Sequence, residues 1–278
     1  MKLFRHGALG SEGAGAVDAR GVKRDISLLV PDITPEWLSP QKLEAIAAID
    51  LEKMPAVPDG TRIGAPIGGA RQFIAIGLNY RKHAAEAGLA IPKDPVVFNK
   101  AITCICGPDD DVVWPEGSEK LDWEVELGFV VGVEARRVSR ENALPHIAGY
   151  CLANDVSERD WQANRGGQWG KGKSFDTFGP LGPWLVTADE VPNPQAIPLS
   201  LAVNGVVRQK SNTSDMVFTV AEIVSHLSQF MTLLPGDVVI TGTPEGVGLG
   251  MKPPQFLKRG DVVELDGGVL GRQRQRVV

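Results

Sequence analysis

Two glutamates stand one residue apart, Glu124 and Glu126, in the apolar segment DWEVELGFVVG. Side chains alternate between the two faces of a β-strand, so both carboxylates are expected on one face. Neighbouring carboxylates in a buried strand repel each other and lose hydration, and a bound cation removes both costs. The alternative is a solvated strand face with ordinary surface glutamates. This segment alone leaves both possibilities open.

A third carboxylate, Asp155, follows the apolar segment GYCLAN, where a predicted strand gives way to a polar loop. Without the two glutamates it would be assigned to a turn or a cap. Together the three acids form a cluster of oxygen donors with no His or Cys, which favours Mg²⁺, Mn²⁺ or Ca²⁺ over zinc. Three protein ligands leave about three octahedral positions for water and a chelating substrate.

The segment GLNYRKHAAEAG offers a candidate general base. If it is helical, His83 and Glu86 are three residues apart and lie on one face. A carboxylate that binds an imidazole fixes its tautomer and raises its basicity, as water activation requires. The alternative is an ordinary surface pair. Gly77 and Gly88 flank the segment as possible hinges of a lid.

Two glycine-rich segments carry further candidates. NRGGQWGKGKSFDTFGP contains Lys171 and Lys173 without the spacing of a nucleotide-binding loop. Lys171 is expected to be solvated, whereas a lysine delivered from this loop, such as Lys173, could stabilise a substrate carboxylate or a developing enolate. ITGTPEGVGLG offers hydroxyl and backbone N–H groups that could hold a carboxylate, or it is simply a turn.

The elements that must position these residues are mostly short strands. Eight apolar segments after Arg71 are predicted strands, and Asn204-Gly205 within one of them, LSLAVNGVVRQ, predicts a type I′ hairpin. Two helices are predicted, one capped by Ser39 and one opened by the capping box of Thr219 and Glu222. We therefore predict a β-rich α+β fold, with a small α+β N-terminal domain over 1–68 and a β-roll or barrel catalytic domain over 69–278.

Composition excludes several classes of protein. The 278 residues are 43% hydrophobic and 23% charged with a net charge of −5, which excludes a disordered chain and disfavours binding to nucleic acid or anionic membranes. Three cysteines do not suggest a disulfide framework. No apolar segment approaches the roughly 20 residues of a membrane helix. The N-terminus lacks the apolar segment of a secretory signal, so a cytoplasmic protein is expected.

These segments, in this order over roughly residues 70–265, resemble the fumarylacetoacetate hydrolase superfamily. The resemblance implies that Glu124, Glu126 and Asp155 are the metal ligands, with Mg²⁺ or Mn²⁺ as the cofactor. It implies that His83 and Glu86 activate water on a lid, and that Lys173 lies beside the substrate oxyanion. Arg159, Gln162 and Thr243 match residues that contact substrate carboxylate and carbonyl groups.

The resemblance also implies a reaction, the hydrolysis of the C3–C4 bond of a 2,4-diketo acid to pyruvate and a second hydroxy acid through a metal-stabilised enolate. With its short N-terminal region, the chain resembles the acylpyruvase and diketo-sugar-acid hydrolase branch more than fumarylacetoacetase itself. Within that branch, GLNYRKHAAEAG and SNTSDMVFTVAEIVSHLS resemble hydrolases of 2,4-diketo-3-deoxy-L-rhamnonate or L-fuconate. Alternatives with the same site are an oxaloacetate decarboxylase, a hydratase or an isomerase. A binding module without catalysis is disfavoured by the complete residue set. A homodimer is expected.

Overall fold

The computed structural model describes residues 1–278, and strands dominate it. The strands, numbered along the chain, are Lys2–His6 (β1), Gly13–Val17 (β2), Lys23–Asp25 (β3), Ile63–Gly64 (β4), Phe73–Gly77 (β5), Val96–Lys100 (β6), Ile105–Cys106 (β7), Leu121–Asp122 (β8), Val125–Val131 (β9), Ile147–Asn154 (β10), Ser157–Glu158 (β11), Gly179–Pro180 (β12), Leu185–Thr187 (β13), Pro198–Val203 (β14), Val206–Asn212 (β15), Val238–Ile240 (β16), Val262–Asp266 (β17) and Arg272–Arg276 (β18). The α-helices are Pro40–Ala47 (α1), Arg81–Glu86 (α2), Arg159–Ala163 (α3), Gly170–Lys173 (α4) and Val220–Phe230 (α5). Single 3₁₀ turns complete the chain, among them Gly248–Gly250 next to the candidate site.

The strands form one large and three small sheets. The ten-stranded sheet has the order β3-β2-β1-β13-β10-β9-β16-β5-β6, with β4 attached to β1. Only β5 and β16 are parallel in it. The largest of the three small sheets has four antiparallel strands in the order β15-β14-β17-β18. A mostly antiparallel fold with few helices confirms the predicted β-rich α+β class and differs from a doubly wound nucleotide-binding sheet.

Local sequence signals account for the confirmed elements. Ser39 caps α1 and Pro40 is its first residue, while Thr219 and Glu222 form both bonds of the capping box of α5. Asn204 and Gly205 both have positive φ, 51° and 76°, as a type I′ turn requires. The segments β9 and β10 are buried on both faces, which explains their continuous apolar sequence.

The N-terminal strands continue the large sheet. β1 pairs with β13, and the hydrophobic core that contains Leu3, Ala14 and Ile26 also contains Phe129 and Ile240. The domain boundary placed between residues 68 and 69 stays a prediction. None of the helices has both the length and the apolar character needed to cross a bilayer.

Candidate active site

Register in the large sheet assembles the three acids. Strands β9 and β10 are antiparallel with Asn154 opposite Val125, so the next residue of β10, Asp155, lies opposite Glu124. The Asp155 N–H donates to the Glu124 carbonyl over 2.9 Å. Glu126 lies two residues further along on the same face. Carboxylate oxygens of the three residues lie within 4.8 Å of one another, and all three side chains are buried.

Two of these carboxylates are paired with buried cations. Lys173 Nζ lies 2.7 Å from Glu124 Oε2 and 2.8 Å from Asp155 Oδ2. Arg159 Nη1 lies 2.7 Å from Glu124 Oε1. Burial opposes ionisation of Glu124, but Lys173 and Arg159 outweigh it and hold its pKa at about 2. Glu124 is therefore ionised at neutral pH.

Glu126 differs because no cation contacts it. Its Oε2 accepts one hydrogen bond, from the Gly242 N–H over 2.7 Å. Burial, followed by the charges of Asp155 and Glu124, raises the pKa of Glu126 well above its ordinary value. An uncompensated buried carboxylate that faces two others is the environment a divalent cation relieves. The donor set therefore fits Mg²⁺ or Mn²⁺, with Glu124, Glu126 and Asp155 as the residues that would hold the ion.

His83 and Glu86 lie together on α2. His83 Nδ1 is 3.2 Å from Glu86 Oε2, and Glu86 Oε1 accepts the Gly246 N–H over 3.0 Å. A carboxylate can only accept at this contact, so the tautomer that suits it has the proton on Nδ1 and leaves the lone pair of Nε2 free. That arrangement allows His83 to take a proton from water.

The start of α2 is fixed by Asn79. Its amide donates to the carbonyls of Phe218 and Thr241 and accepts the Phe218 N–H over 2.7 Å. Gly77, expected as a hinge, is required for packing, since a Cβ there would lie 2.3 Å from the Trp169 ring. Gly88 has φ +66° with open space around it and ends the helix.

The predicted substrate contacts lie beside the acids. Arg159 Nε donates to Asp122 Oδ2 over 2.8 Å, and its Nη1 donates to Gln162 Oε1 over 3.0 Å. Thr243 donates to the Val125 carbonyl and accepts from Gln209. The substrate contacts of Arg159, Gln162 and Thr243 stay predictions.

The glycine-rich loop places Lys173 by close packing. A Cβ on Gly172 would lie 2.4 Å from both Gln162 N and Glu158 O, and one on Gly170 would lie 2.6 Å from Asn99 O. Only glycine lets α4 pack this tightly between α3 and β6. Lys171 points to solvent and donates to the Arg165 carbonyl, as expected.

Sequence reasoning missed two buried residues. Lys100 Nζ contacts Asp155 Oδ1 and donates to the Phe178 carbonyl over 2.9 Å. Asp122 accepts N–H groups of Gly248 and Leu249 and pairs with Arg159. The available signal was a charged residue inside each apolar strand segment, LDWEVEL and PVVFNK.

The candidate site residues lie around one cavity of about 620 Å³. All nine residues that the sequence analysis selected line it: His83, Glu86, Glu124, Glu126, Asp155, Arg159, Gln162, Lys173 and Thr243. Its remaining wall includes the apolar side chains of Leu78, Phe98 and Trp169. The cavity thus has a highly charged part and an apolar wall.

Residues 72–278 match the model of the family described as fumarylacetoacetate (FAA) hydrolase C-terminal. A relative from Burkholderia cenocepacia (strain HI2424), whose name assigns it provisionally to the hydrolases, is 55% identical over 99% of this chain and 98% of its own length.

Two solved structures match over the whole chain. The fumarylacetoacetate hydrolase of Exiguobacterium antarcticum has 36% identity and a TM-score of 0.87, with 100% of this chain and 99% of that chain covered. The maleylpyruvate hydrolase of Sphingobium sp. SYK-6, solved with manganese(II) and pyruvate, has 29% identity and a TM-score of 0.82 at the same coverage.

Proposed function

The chain belongs to the fumarylacetoacetate hydrolase family, and on that basis we propose that it is a divalent-metal-dependent hydrolase that cleaves the C3–C4 bond of a 2,4-diketo acid. The products are pyruvate and a second acid. One observation carries the proposal: the His83–Glu86 pair lines the same cavity as the three acids and Lys173. A base for water and a positively charged group for an enolate are thereby available to one substrate.

The chain's own residues account for the proton transfers. Glu86 holds His83 in the tautomer with a free Nε2, which removes a proton from water as that water attacks the C4 carbonyl. The tetrahedral species collapses, the C3–C4 bond breaks, and its electron pair becomes the enolate of pyruvate. C3 then takes up one proton, which balances the proton that His83 removed from the water, to give pyruvate and restore His83 as a base.

The enolate is a poor leaving group unless its charge is stabilised. Lys173 Nζ, buried beside Glu124 and Asp155, supplies a preorganised positive charge at the cavity. Glu124, Glu126 and Asp155 would hold a divalent ion, which would supply Lewis-acid stabilisation of the same charge. The maleylpyruvate hydrolase relative, solved with manganese(II) and pyruvate, supports both the metal class and the product class.

Within the 2,4-diketo acids, we propose the 2,4-diketo-3-deoxy derivatives of L-rhamnonate or L-fuconate as the substrates. The support is the resemblance of the His83 segment and of residues 211–228 to hydrolases of these sugar acids. The apolar wall of Leu78, Phe98 and Trp169 would also suit a simple acylpyruvate. A substrate panel must therefore contain both classes.

The test is an assay of the purified protein with Mn²⁺ or Mg²⁺ against these diketo acids and oxaloacetate. Loss of the diketone absorbance with stoichiometric pyruvate is expected for a C–C hydrolase. Release of CO₂ from oxaloacetate without diketone cleavage would instead establish a decarboxylase. Loss of absorbance without pyruvate would indicate a hydratase or an isomerase, and no turnover of any substrate would favour a binding module.

We also propose a cytoplasmic homodimer, as the family resemblance implies. Light scattering on a sizing column should give twice the monomer mass of 29.8 kDa. A monomer at micromolar concentration would contradict the proposed assembly without affecting the proposed reaction.

A further inference from the structure

A second buried lysine lies behind the acids, on the side away from the cavity. Lys100 is the last residue of β6, and its side chain is completely buried. Its Nζ has two polar partners, Asp155 Oδ1 and the Phe178 carbonyl at 2.9 Å. Lys100 does not line the cavity, so it has no path to a substrate.

The surroundings of Lys100 offer its ammonium group few polar partners. Its Nζ lies 5.5 Å from the Phe73 ring, and Phe73 is the residue that pairs with Lys100 across β5 and β6. An ammonium in an apolar environment is stable only when it is paired and hydrogen-bonded. The contact with Asp155 is therefore a fixed feature of the fold.

Lys100 and Lys173 contact different oxygens of the Asp155 carboxylate. Lys100 contacts Oδ1, while Lys173 contacts Oδ2 and also reaches Glu124. Lys173 lines the cavity and Lys100 does not. Asp155 Oδ2 is therefore the oxygen on the side of Glu124 and of the cavity.

We infer that Lys100 is a positioning residue for the metal centre: it fixes the rotation of the Asp155 carboxylate so that Oδ2 faces the ion. A hydrogen-bonded partner that orients a ligating carboxylate typically contributes about 10–100-fold to metal affinity. This inference rests on the metal site of the proposed function and not on its substrate. Lys100 acts through Asp155 and touches neither the ion nor the reacting atoms.

The test measures binding of Mn²⁺ to metal-free protein by calorimetry and by electron paramagnetic resonance. Lys100→Gln removes the charge but retains a donor, on a side chain one atom shorter, and Lys100→Met removes both the charge and the donor. Lys171→Met is the matched control, since Lys171 is solvent-exposed and lies two residues from Lys173. We expect both Lys100 variants to bind Mn²⁺ about 10–100-fold more weakly and Lys171→Met to bind as the wild type does.

A double-variant cycle separates positioning from a general loss of charge or of fold. In an Asp155→Asn background, Lys100→Gln should change the Mn²⁺ dissociation constant by less than about threefold, because the two substitutions remove one interaction. Near-UV circular dichroism verifies the fold of each metal-free variant. If Lys100→Met does not fold, Lys100→Gln decides the matter alone, and if neither folds, the role of Lys100 is structural and the inference fails.

Three further results would overturn the inference. One is a folded Lys100→Gln with wild-type Mn²⁺ affinity and an unchanged resonance spectrum. Another is an equally large loss of affinity in the Asp155→Asn background. The third, absence of Mn²⁺ binding by the wild type, would remove the proposed metal centre together with this inference and is thus distinguishable from the first two.

Discussion

Gly250 sets the position of the carboxylate that orients His83. A Cβ at Gly250 would lie 2.5 Å from Glu86 Cδ and 2.8 Å from Glu86 Oε2. Carbon atoms in ordinary contact are separated by about 3.5 Å, so Gly250→Ala forces the end of Glu86 to move by about 1 Å. The Glu86 end can move, whereas the Gly250 backbone is held in a 3₁₀ turn by Asp122.

The displacement breaks the contact between His83 and Glu86, which is already long for a hydrogen bond. His83 Nδ1 and Glu86 Oε2 are already 3.2 Å apart, near the limit of a hydrogen bond. A misplacement of about 1 Å at a catalytic group costs about 10²-fold in rate, or about 2.7 kcal/mol of activation free energy. Loss of a general base costs up to about 10⁴-fold, which is the upper bound for this variant. The fold should be little affected because Gly250 does not have a positive φ.

The assay compares two reactions of one protein. Hydrolysis of a diketo acid needs an attacking water and should fall about 100-fold in kcat, whereas any decarboxylation of oxaloacetate that the wild type catalyses needs no attacking water and should be retained. Mn²⁺ affinity should be unchanged, since Gly250 touches none of the three acids. Gly13→Ala is the matched control: Gly13 lies in β2, lacks a positive φ and does not line the cavity. A Cβ there would lie 3.0 Å from Ser27 Cβ, so the control also introduces a close contact, but one that is less severe than at Gly250 and remote from Glu86.

Any of three outcomes would contradict the predicted effect of Gly250→Ala. Wild-type hydrolysis by a folded Gly250→Ala would show that the His83–Glu86 contact does not limit the rate. An equal loss of both reactions would place the damage elsewhere in the site. A further 100-fold loss when Gly250→Ala is added to Glu86→Ala would contradict the mechanism, because the atoms that collide are then absent.

Further predictions address the metal, the base, the loop and pH. Glu124→Gln should abolish activity and weaken Mn²⁺ binding by calorimetry, and full turnover after dialysis against a chelator would exclude a metal-dependent reaction. His83→Ala should lose hydrolysis but retain pyruvate binding in a competition assay; normal hydrolysis would refute its role as base. Asp122→Asn should lower the free energy of unfolding by about 3 kcal/mol in urea titrations, since it breaks a buried pair with Arg159. Because the raised pKa of Glu126 keeps a proton where the ion binds, Mn²⁺ affinity should increase with pH and then level off above that pKa, with proton release in calorimetry. The raised pKa also means that the free energy of unfolding of the metal-free protein should decrease as pH rises from the ordinary pKa of glutamate to the raised pKa of Glu126, because the unfolded chain releases this proton first. Flat pH profiles of both the Mn²⁺ affinity and the free energy of unfolding would contradict the raised pKa.

The parts of the site that follow from local sequence were predictable. Alternation in WEVELG puts Glu124 and Glu126 on one face, and the helical spacing of His83 and Glu86 puts their side chains within 3.2 Å. The hairpin at Asn204-Gly205 and the capped helices follow from single-residue conformational preferences. Each of these inferences depends on a few neighbouring residues and on the period of one element.

The parts that depend on the order of the strands were not predictable. Lys100 ends the edge strand β6, four places from β10 in the order of the sheet, yet its Nζ contacts Asp155 at the end of β10. No local pattern encodes this approach. Asp122 binds Gly248 and Leu249, which are more than 120 residues away along the chain. The glycines of the Lys173 loop are likewise required because α3 and the Asn99 carbonyl oxygen approach them too closely for a side chain.

Arg159 shows how the partners of a side chain add a role to the one predicted from its type. A guanidinium with five N–H donors is an obvious candidate to bind a substrate carboxylate. Here its Nε and Nη2 lie within 2.8 Å of Asp122 Oδ2, and Nη1 lies on Glu124 and Gln162. With the Gln162 oxygen accepting from Arg159, the amide group left to face a substrate is the Gln162 NH₂ donor. Together with Lys173, Arg159 keeps Glu124 ionised, and it also binds the Gln162 oxygen. If Gln162 contacts the substrate as predicted, Arg159 would affect recognition through this neighbour.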